Sequence, residues 1–343
     1  MYRPGKFLST CLVLSTTLFL IFTAGCAGVS KQLDPDPMQP QAPDLSPPLF
    51  ALREMDMHLH AGLERTAPLD QWIDAAVADG RKVVIALDHR ELYDMSAGEY
   101  EAWLAENKFP KWYPVGAAGK QALMDDLALL RKRKDVTMFR GWEIWEGELD
   151  EGLDPDAMRL AEVIGWHISS NGDPPPSGEM LLKRVRQILR VQEEFPVPMI
   201  VFHPFTAGIS RVQKDARKAG KDPASLTAED YRFFGPGEQD ELALLLRGKP
   251  VYIEISQGQA RCMENPAMRA ALIADIKPLA AAGVQFTVST DAHGFESLRH
   301  RFEPEVYCAP IGVTPQNTNG VVRELLARRA AADRANRQAS PRR

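Results

Sequence analysis

The sequence predicts an α/β fold: a single globular domain built as a parallel barrel of seven β/α units, closed or nearly so. Three observations predict it. Short apolar runs alternate with helical patterns along most of the chain. Several runs are almost continuously apolar, as parallel strands covered on both faces are. Seven such units in one chain suit a barrel better than an open sheet. A hydrophobic content of 45% and a charged content of 25% are ordinary for a globular protein. The net charge of −5 gives no reason to expect a nucleic-acid partner, which usually requires a basic face.

The N-terminus stands apart from this pattern. Arg3 and Lys6 precede the apolar stretch FLSTCLVLSTTLFLIFTAG, which leads through small residues to Cys26. A positive start, an apolar run and small residues at its end describe a secretory signal. TAGC resembles a bacterial lipobox, so residues 1–25 are expected to be a lipoprotein signal peptide and Cys26 the lipidated mature N-terminus. An uncleaved anchor is the alternative, since about 20 apolar residues span a bilayer. Either reading places the remaining chain in the cell envelope. Ala27 and Gly28 resemble an address for the outer membrane or its periplasmic face. Residues 26–49 include LDPDPMQPQAPDLSPPL, whose prolines favour extended polyproline geometry and a semi-rigid spacer.

The barrel is expected over residues 50–312. Its strands are EMDMHLH (54–60), KVVIALDH (82–89), VTMFRGWEI (136–144), EVIGWHI (162–168), PMIVFH (198–203), PVYIEIS (250–256) and VQFTVSTDA (284–292). Helical patterns occupy 69–79, 119–133, 179–194, 237–247 and 267–282 between them. Three connections exceed what a barrel requires: the aromatic-rich 91–116, the acidic 145–160 and the basic 205–236. All three follow strands, on the face where barrel active sites are built. The first is read either as a lid over an organic group or as packing against the barrel. Residues 313–343 are expected to form a C-terminal helix and basic tail, in which seven arginines from Arg323 onward face only Glu324 and Asp333. Cys262 and Cys308 are left either to pair or to remain buried thiols.

The chain has seven histidines: His58, His60, His89, His167, His203, His293 and His300. The first six fall at or just beyond the C-terminal end of a predicted strand, as do Asp88, Glu143 and Asp291. In a barrel those ends converge. One histidine at a strand end is more often a hydrogen-bonded structural residue than a ligand. Six on one rim, crowded with carboxylates, call for compensating charge, which divalent cations supply. In DMHLH, strand spacing points His58 and His60 to the same side, as a clamp does. His300, after GFESLR, is expected at a surface or helix end.

With these motifs in view, the chain resembles the PHP (polymerase and histidinol phosphatase) superfamily of metal-dependent phosphoesterases. The family's elements appear in order: DMHLH, LDH at 87–89, GWE at 141–143, the lone histidine of GWHI, FHP at 202–204 and TDAHG at 290–294. The resemblance covers residues 54 to about 295. It implies the PHP fold, a distorted (β/α)7 TIM-like barrel. It also implies a first metal on His58, His60, Glu143 and Asp291, with Glu143 bridging to a second on His167 and His203. A third metal would take His89 and His293. The family's further histidine after the first pair is missing from AGLERTAP, where Glu64 or water would have to substitute.

The expected cofactors are therefore two or three divalent ions, zinc, manganese or iron, since imidazole and carboxylate ligands do not choose among them. Two such ions can share a hydroxide and neutralise a phosphoryl group under attack. Glu143, Asp291 and Arg90 are the expected catalytic residues, Arg90 by its bidentate fork for phosphate oxygens. Asp56, Asp88 and Glu254 are expected to orient ligand histidines from behind. A pairing of Glu254 with a nearby arginine is the alternative. Arg140 is expected in a solvent-facing salt bridge. The substrate is expected to be a small phosphorylated or ester compound. A carboxylic ester, amide or carbamate hydrolase and a non-catalytic metal-binding lipoprotein are the competing readings.

Overall fold

A computed structural model of the chain describes residues 49–61, 68–90, 96–106, 125, 128–151, 153, 155–299 and 303–339. The signal peptide, Cys26, the spacer, Glu64, His300 and most of 91–116 lie outside them. Seven strands form one parallel sheet in chain order: β1 (Met55–His60), β2 (Val83–His89), β3 (Thr137–Trp145), β4 (Val163–His167), β5 (Met199–Phe202), β6 (Val251–Ser256) and β7 (Phe286–Ser289). All seven stand where the apolar runs placed them. Nearly every strand residue is buried, because helices cover the outer face while side chains fill the interior.

The sheet curls until β7 meets β1. Leu59 bridges Ala292, the His60 amide donates to the Ala292 carbonyl at 3.1 Å, and the Asp291 amide donates to the His58 carbonyl at 3.0 Å. The Asp56 carboxylate reinforces this seam. It accepts from the Thr290 amide at 3.0 Å and the Thr290 hydroxyl at 2.6 Å. Closure brings the histidines of β1 beside the segment after β7, although more than 200 residues separate them in sequence.

Four helices fall where their periodicity put them: Leu69–Ala78, Gly178–Glu194, Glu238–Leu246 and Pro266–Ala281. The amphipathic helix Gly178–Glu194 starts at Ser177, whose hydroxyl accepts from the Met180 amide, and buries Leu181, Val185 and Ile188. Leu69–Ala78 buries Trp72, Ile73 and Ala76 in a smaller cluster that also receives Trp103 from the helix Ala97–Glu106. Trp103 therefore belongs to the packing of the barrel.

Two expectations need correction. The first part of the basic stretch 205–236 is helix: Pro204–Lys218 begins directly after β5, with proline in its first turn. Two of its cations are engaged there. Arg211 pairs with Asp215 one turn on, and Lys214 reaches Ser170 and Asn171. Arg140 is buried, not solvent-facing, and its guanidinium lies 4.3 Å over the Trp142 ring. The C-terminal helix Gly320–Ala339 is docked, with Val321, Val322 and Leu325 in the main core. Arg329 stacks on Phe139 and donates to the Met138 carbonyl, near the N-terminal end of β3. Val313 joins the same core. Cys262 and Cys308 are both free thiols.

Candidate metal centre

Each site residue owes its position to a strand end. His58 and His60 close β1 and point the same way, and both are fully buried. His89 ends β2 and is in register with Glu143 of β3; Trp145 is in register with His167, the last residue of β4. His203 follows β5 and Asp291 follows β7. Their φ angles of 59° and 56° make them the only non-glycine residues with positive φ among the described residues. This left-handed conformation costs free energy for such side chains and persists where surrounding structure imposes it, commonly at functional sites.

Glu143 lies at the centre with its two oxygens divided. Oε2 faces His60 Nε2 at 3.2 Å, His89 Nε2 at 3.4 Å and His58 Nε2 at 3.5 Å. Oε1 faces His167 Nδ1 at 2.8 Å and His203 Nε2 at 3.5 Å. Asp291 stands across from it: Oδ1 is 3.2 Å from His293 Nε2, 3.4 Å from His60 Nε2 and 3.6 Å from His58 Nε2. The arrangement yields four overlapping groups of potential ligands: His58–His60–Glu143, His58–His203–Asp291, Glu143–His167–His203 and His60–Asp291–His293.

The donor set fits divalent cations. Bonds of about 2.0–2.2 Å to one ion separate adjacent ligand atoms by roughly 3.0–3.5 Å, close to the spacing here. The nitrogens His58 Nε2 and His60 Nε2 approach to 3.0 Å deep in the barrel, where only a proton or a cation reconciles them. The charges agree. Burial alone would push the His58 imidazole down, but Glu143, Glu254 and Asp291 carry its pKa up to about 9. Burial opposes ionisation of Glu143 and Asp291 too, yet the surrounding histidines hold both carboxyls well below their usual range. Anionic carboxylates this close together demand positive charge, and a cation can replace the protons that otherwise provide it.

Behind the candidate ligands lies Glu254 on β6. Its Oε1 meets His58 Nδ1 at 2.8 Å and accepts from the Ser289 hydroxyl at 2.6 Å. Its Oε2 meets His203 Nδ1 at 3.1 Å and accepts from the His203 amide at 2.9 Å. An ionised carboxylate only accepts, so both Nδ1 atoms carry hydrogen and both Nε2 atoms are turned into the cluster. Burial raises the Glu254 pKa, but His203 and His58 bring it down to about 2. Phe202 stacks on His58 at 3.8 Å between ring centroids. It can do so because Gly165 leaves room: a Cβ there would fall 1.7 Å from Phe202 Cε2.

Three further expected residues lie around this cluster. Asp56 does not reach an imidazole; its carboxylate accepts from the His58 amide and from Thr290, so it orders the seam instead. Asp88 is buried on β2. Arg90 is gripped by Glu148 through Nε, at 2.6 Å, and Nη2. The sequence reading missed Phe202, Ser289 and Thr290, although each sits inside or beside a quoted motif. An apolar or hydroxyl residue in a strand carries no signal of what it will touch across the barrel.

Fold and site together define a (β/α)7 barrel with a cluster of histidines and carboxylates, able to hold metal, at the C-terminal ends of its strands. Solved structures with likeness to it include a histidinol phosphate phosphatase from Lactococcus lactis, complexed with zinc, L-histidinol and phosphate. That likeness has 12% identity, covers 76% of this chain and 95% of that one, and has a TM-score of 0.44. A putative histidinol phosphatase from Listeria monocytogenes follows at 11% identity, 74% and 100% coverage and a TM-score of 0.43. A dihydroorotase from Campylobacter jejuni stands at 12%, with 80% of each chain covered and a TM-score of 0.33. No protein-family model and no curated protein matches the chain. These likenesses are distant, and the chemistry stands on the chain's own residues.

Proposed function

We propose that the protein is a metal-dependent hydrolase with a dinuclear centre, acting on phosphoesters. The observation that carries this reading is the division of Glu143, one oxygen toward His58, His60 and His89 and the other toward His167 and His203. A carboxylate so divided can hold two cations side by side, which a site for a single ion does not need. His58, His60, Glu143 and Asp291 would hold one, and Glu143, His167 and His203 the other. His89 and His293 flank the first, on the side where a third could bind. When bound, the cations would supply an acidified water and neutralise charge on the group under attack.

The chain's own contribution is positioning. Glu254 fixes the tautomer and tilt of two ligands, Phe202 closes the inner side of His58 to water, and Glu143 sets the separation of the two halves. The outer side is open, where the side chains of His293, His167 and Asp291 are 45%, 34% and 34% exposed. Two divalent cations would outweigh the carboxylates of Glu143, Asp291 and Glu254. The resulting net positive pocket favours an anionic phosphoester over a neutral ester.

The decisive experiment pairs elemental analysis with a screen of the metal-loaded protein against phosphomonoesters, phosphodiesters and aryl carboxylic esters. At least two ions per chain and phosphoester hydrolysis are expected. Turnover of carboxylic esters alone would overturn the phosphate assignment. Fewer than one ion per chain after reconstitution would overturn the dinuclear centre. We propose in addition that Cys26 is lipidated and that residues 27–49 tether the barrel to the cell envelope, a reading supported by the lipobox-like TAGC and the proline-rich stretch behind it.

A further inference from the structure

Trp145 is the last residue of β3, two positions beyond Glu143, so both side chains leave the strand on the same side. It is in register with His167 on the neighbouring parallel strand, which turns these two side chains to a common face as well. The indole therefore leaves β3 on the side of the sheet that carries Glu143 and His167. It is 49% exposed there, while Trp142 and Trp166 in the flanking strand positions are fully buried. Large aromatic side chains lose free energy when left half in water, and this one has not been folded into the nearby core.

The ring is nevertheless held. Its six-membered edge lies against Gly147, where an added Cβ would sit 2.4 Å from Cζ3 and 2.5 Å from Cη2. The backbone beneath it is pinned to β4. The Glu146 amide donates to the His167 carbonyl at 3.2 Å, and the buried Glu146 carboxylate accepts from the Ser169 amide at 3.3 Å. An indole seated on a glycine, on a strand residue in register with His167, and with its remaining surface open, is preorganised to receive a flat ring.

We propose that Trp145 is a specificity-determining residue: a stacking platform for the aromatic ring of a phosphoester's alcohol, an aryl or nucleobase-bearing group. The proposal rests on the hydrolase reading above for the placement of the phosphate. Phosphate at the cations and ring on the indole would be bound together, so small aliphatic phosphoesters would lack the second contact.

The test uses the metal-loaded full chain and hydrolysis-resistant probes, phenylphosphonate against methylphosphonate, with binding followed by calorimetry. Trp145→Ala is expected to weaken phenylphosphonate by roughly tenfold more than methylphosphonate, the scale of one aromatic stack. Trp145→Phe should recover most of that difference, and Gly147→Ala, which displaces the indole, should reproduce part of the loss. Metal content and circular dichroism of each variant report retained folding. An equal effect on both probes, or none on either, overturns the platform, as does a native protein that prefers methylphosphonate. If phenylphosphonate binds in a Trp145-dependent way but no phosphoester is turned over, the platform stands and the hydrolase reading falls. Where turnover occurs, kcat/KM for phenyl phosphate over glycerol phosphate should fall in Trp145→Ala by a similar factor.

Discussion

Replacing Glu254 with glutamine keeps the side chain's shape and changes only what it can accept. The carboxylate meets two hydrogen donors at each oxygen: His58 Nδ1 and the Ser289 hydroxyl at Oε1, His203 Nδ1 and the His203 amide at Oε2. A glutamine amide offers one accepting oxygen and one donating NH2. Whichever way it flips, NH2 faces an imidazole Nδ1 that now carries hydrogen. The affected imidazole must move its proton to Nε2, the nitrogen aimed at the cation, or tilt away. Loss of one such partner typically costs 10–100-fold in metal affinity. Because Glu254 serves two ligands and its negative charge is also lost, Glu254→Gln should weaken metal binding by about 100-fold, or ~2.7 kcal/mol. Competition against a chelator of known affinity measures this directly. Ser289→Ala, which removes one donor and leaves both imidazoles their acceptor, should lose about fivefold or less. An affinity for Glu254→Gln within threefold of the native protein would refute the argument that Glu254 sets the tautomers.

Three further outcomes are expected. Glu143→Ala should abolish hydrolysis and lower the metal content of both halves, whereas His89→Ala should leave the second half filled; equal losses in a steady-state assay and in elemental analysis would contradict this. Gly165→Ala should destabilise the fold by about 1–3 kcal/mol, since the new methyl must displace Phe202 from His58, and an unchanged urea midpoint would count against it. Cys26→Ser should release the protein from the membrane fraction or leave an unprocessed precursor. Unaltered fractionation and an unaltered mass of the N-terminal peptide would reject lipidation.

Much of this protein is written locally. Strand positions follow from apolar runs such as KVVIALDH, because a strand buried on both faces must be apolar throughout, and the structure keeps all seven. The ligands are legible for a related reason. Histidine and carboxylate are uncommon at the ends of buried strands, so DMHLH, GWE and TDAH stand out before any contact is known. Helix Pro204–Lys218 was less legible: the sequence reads it as part of a long basic connection, and the partners of Lys214, Ser170 and Asn171, come from the segment after β4. What the sequence by itself determined is the chemical inventory and the order in which the strands present it. Only the tertiary structure decided how that inventory is shared: Glu143 divided between two groups of histidines, Glu254 serving His58 and His203 at once, Asp56 spent on the barrel seam, and Arg90 committed to Glu148. Those partners are brought within about 3 Å by curvature and closure of the sheet. Distances across a closed barrel depend on every strand between, so no local stretch of sequence encodes them.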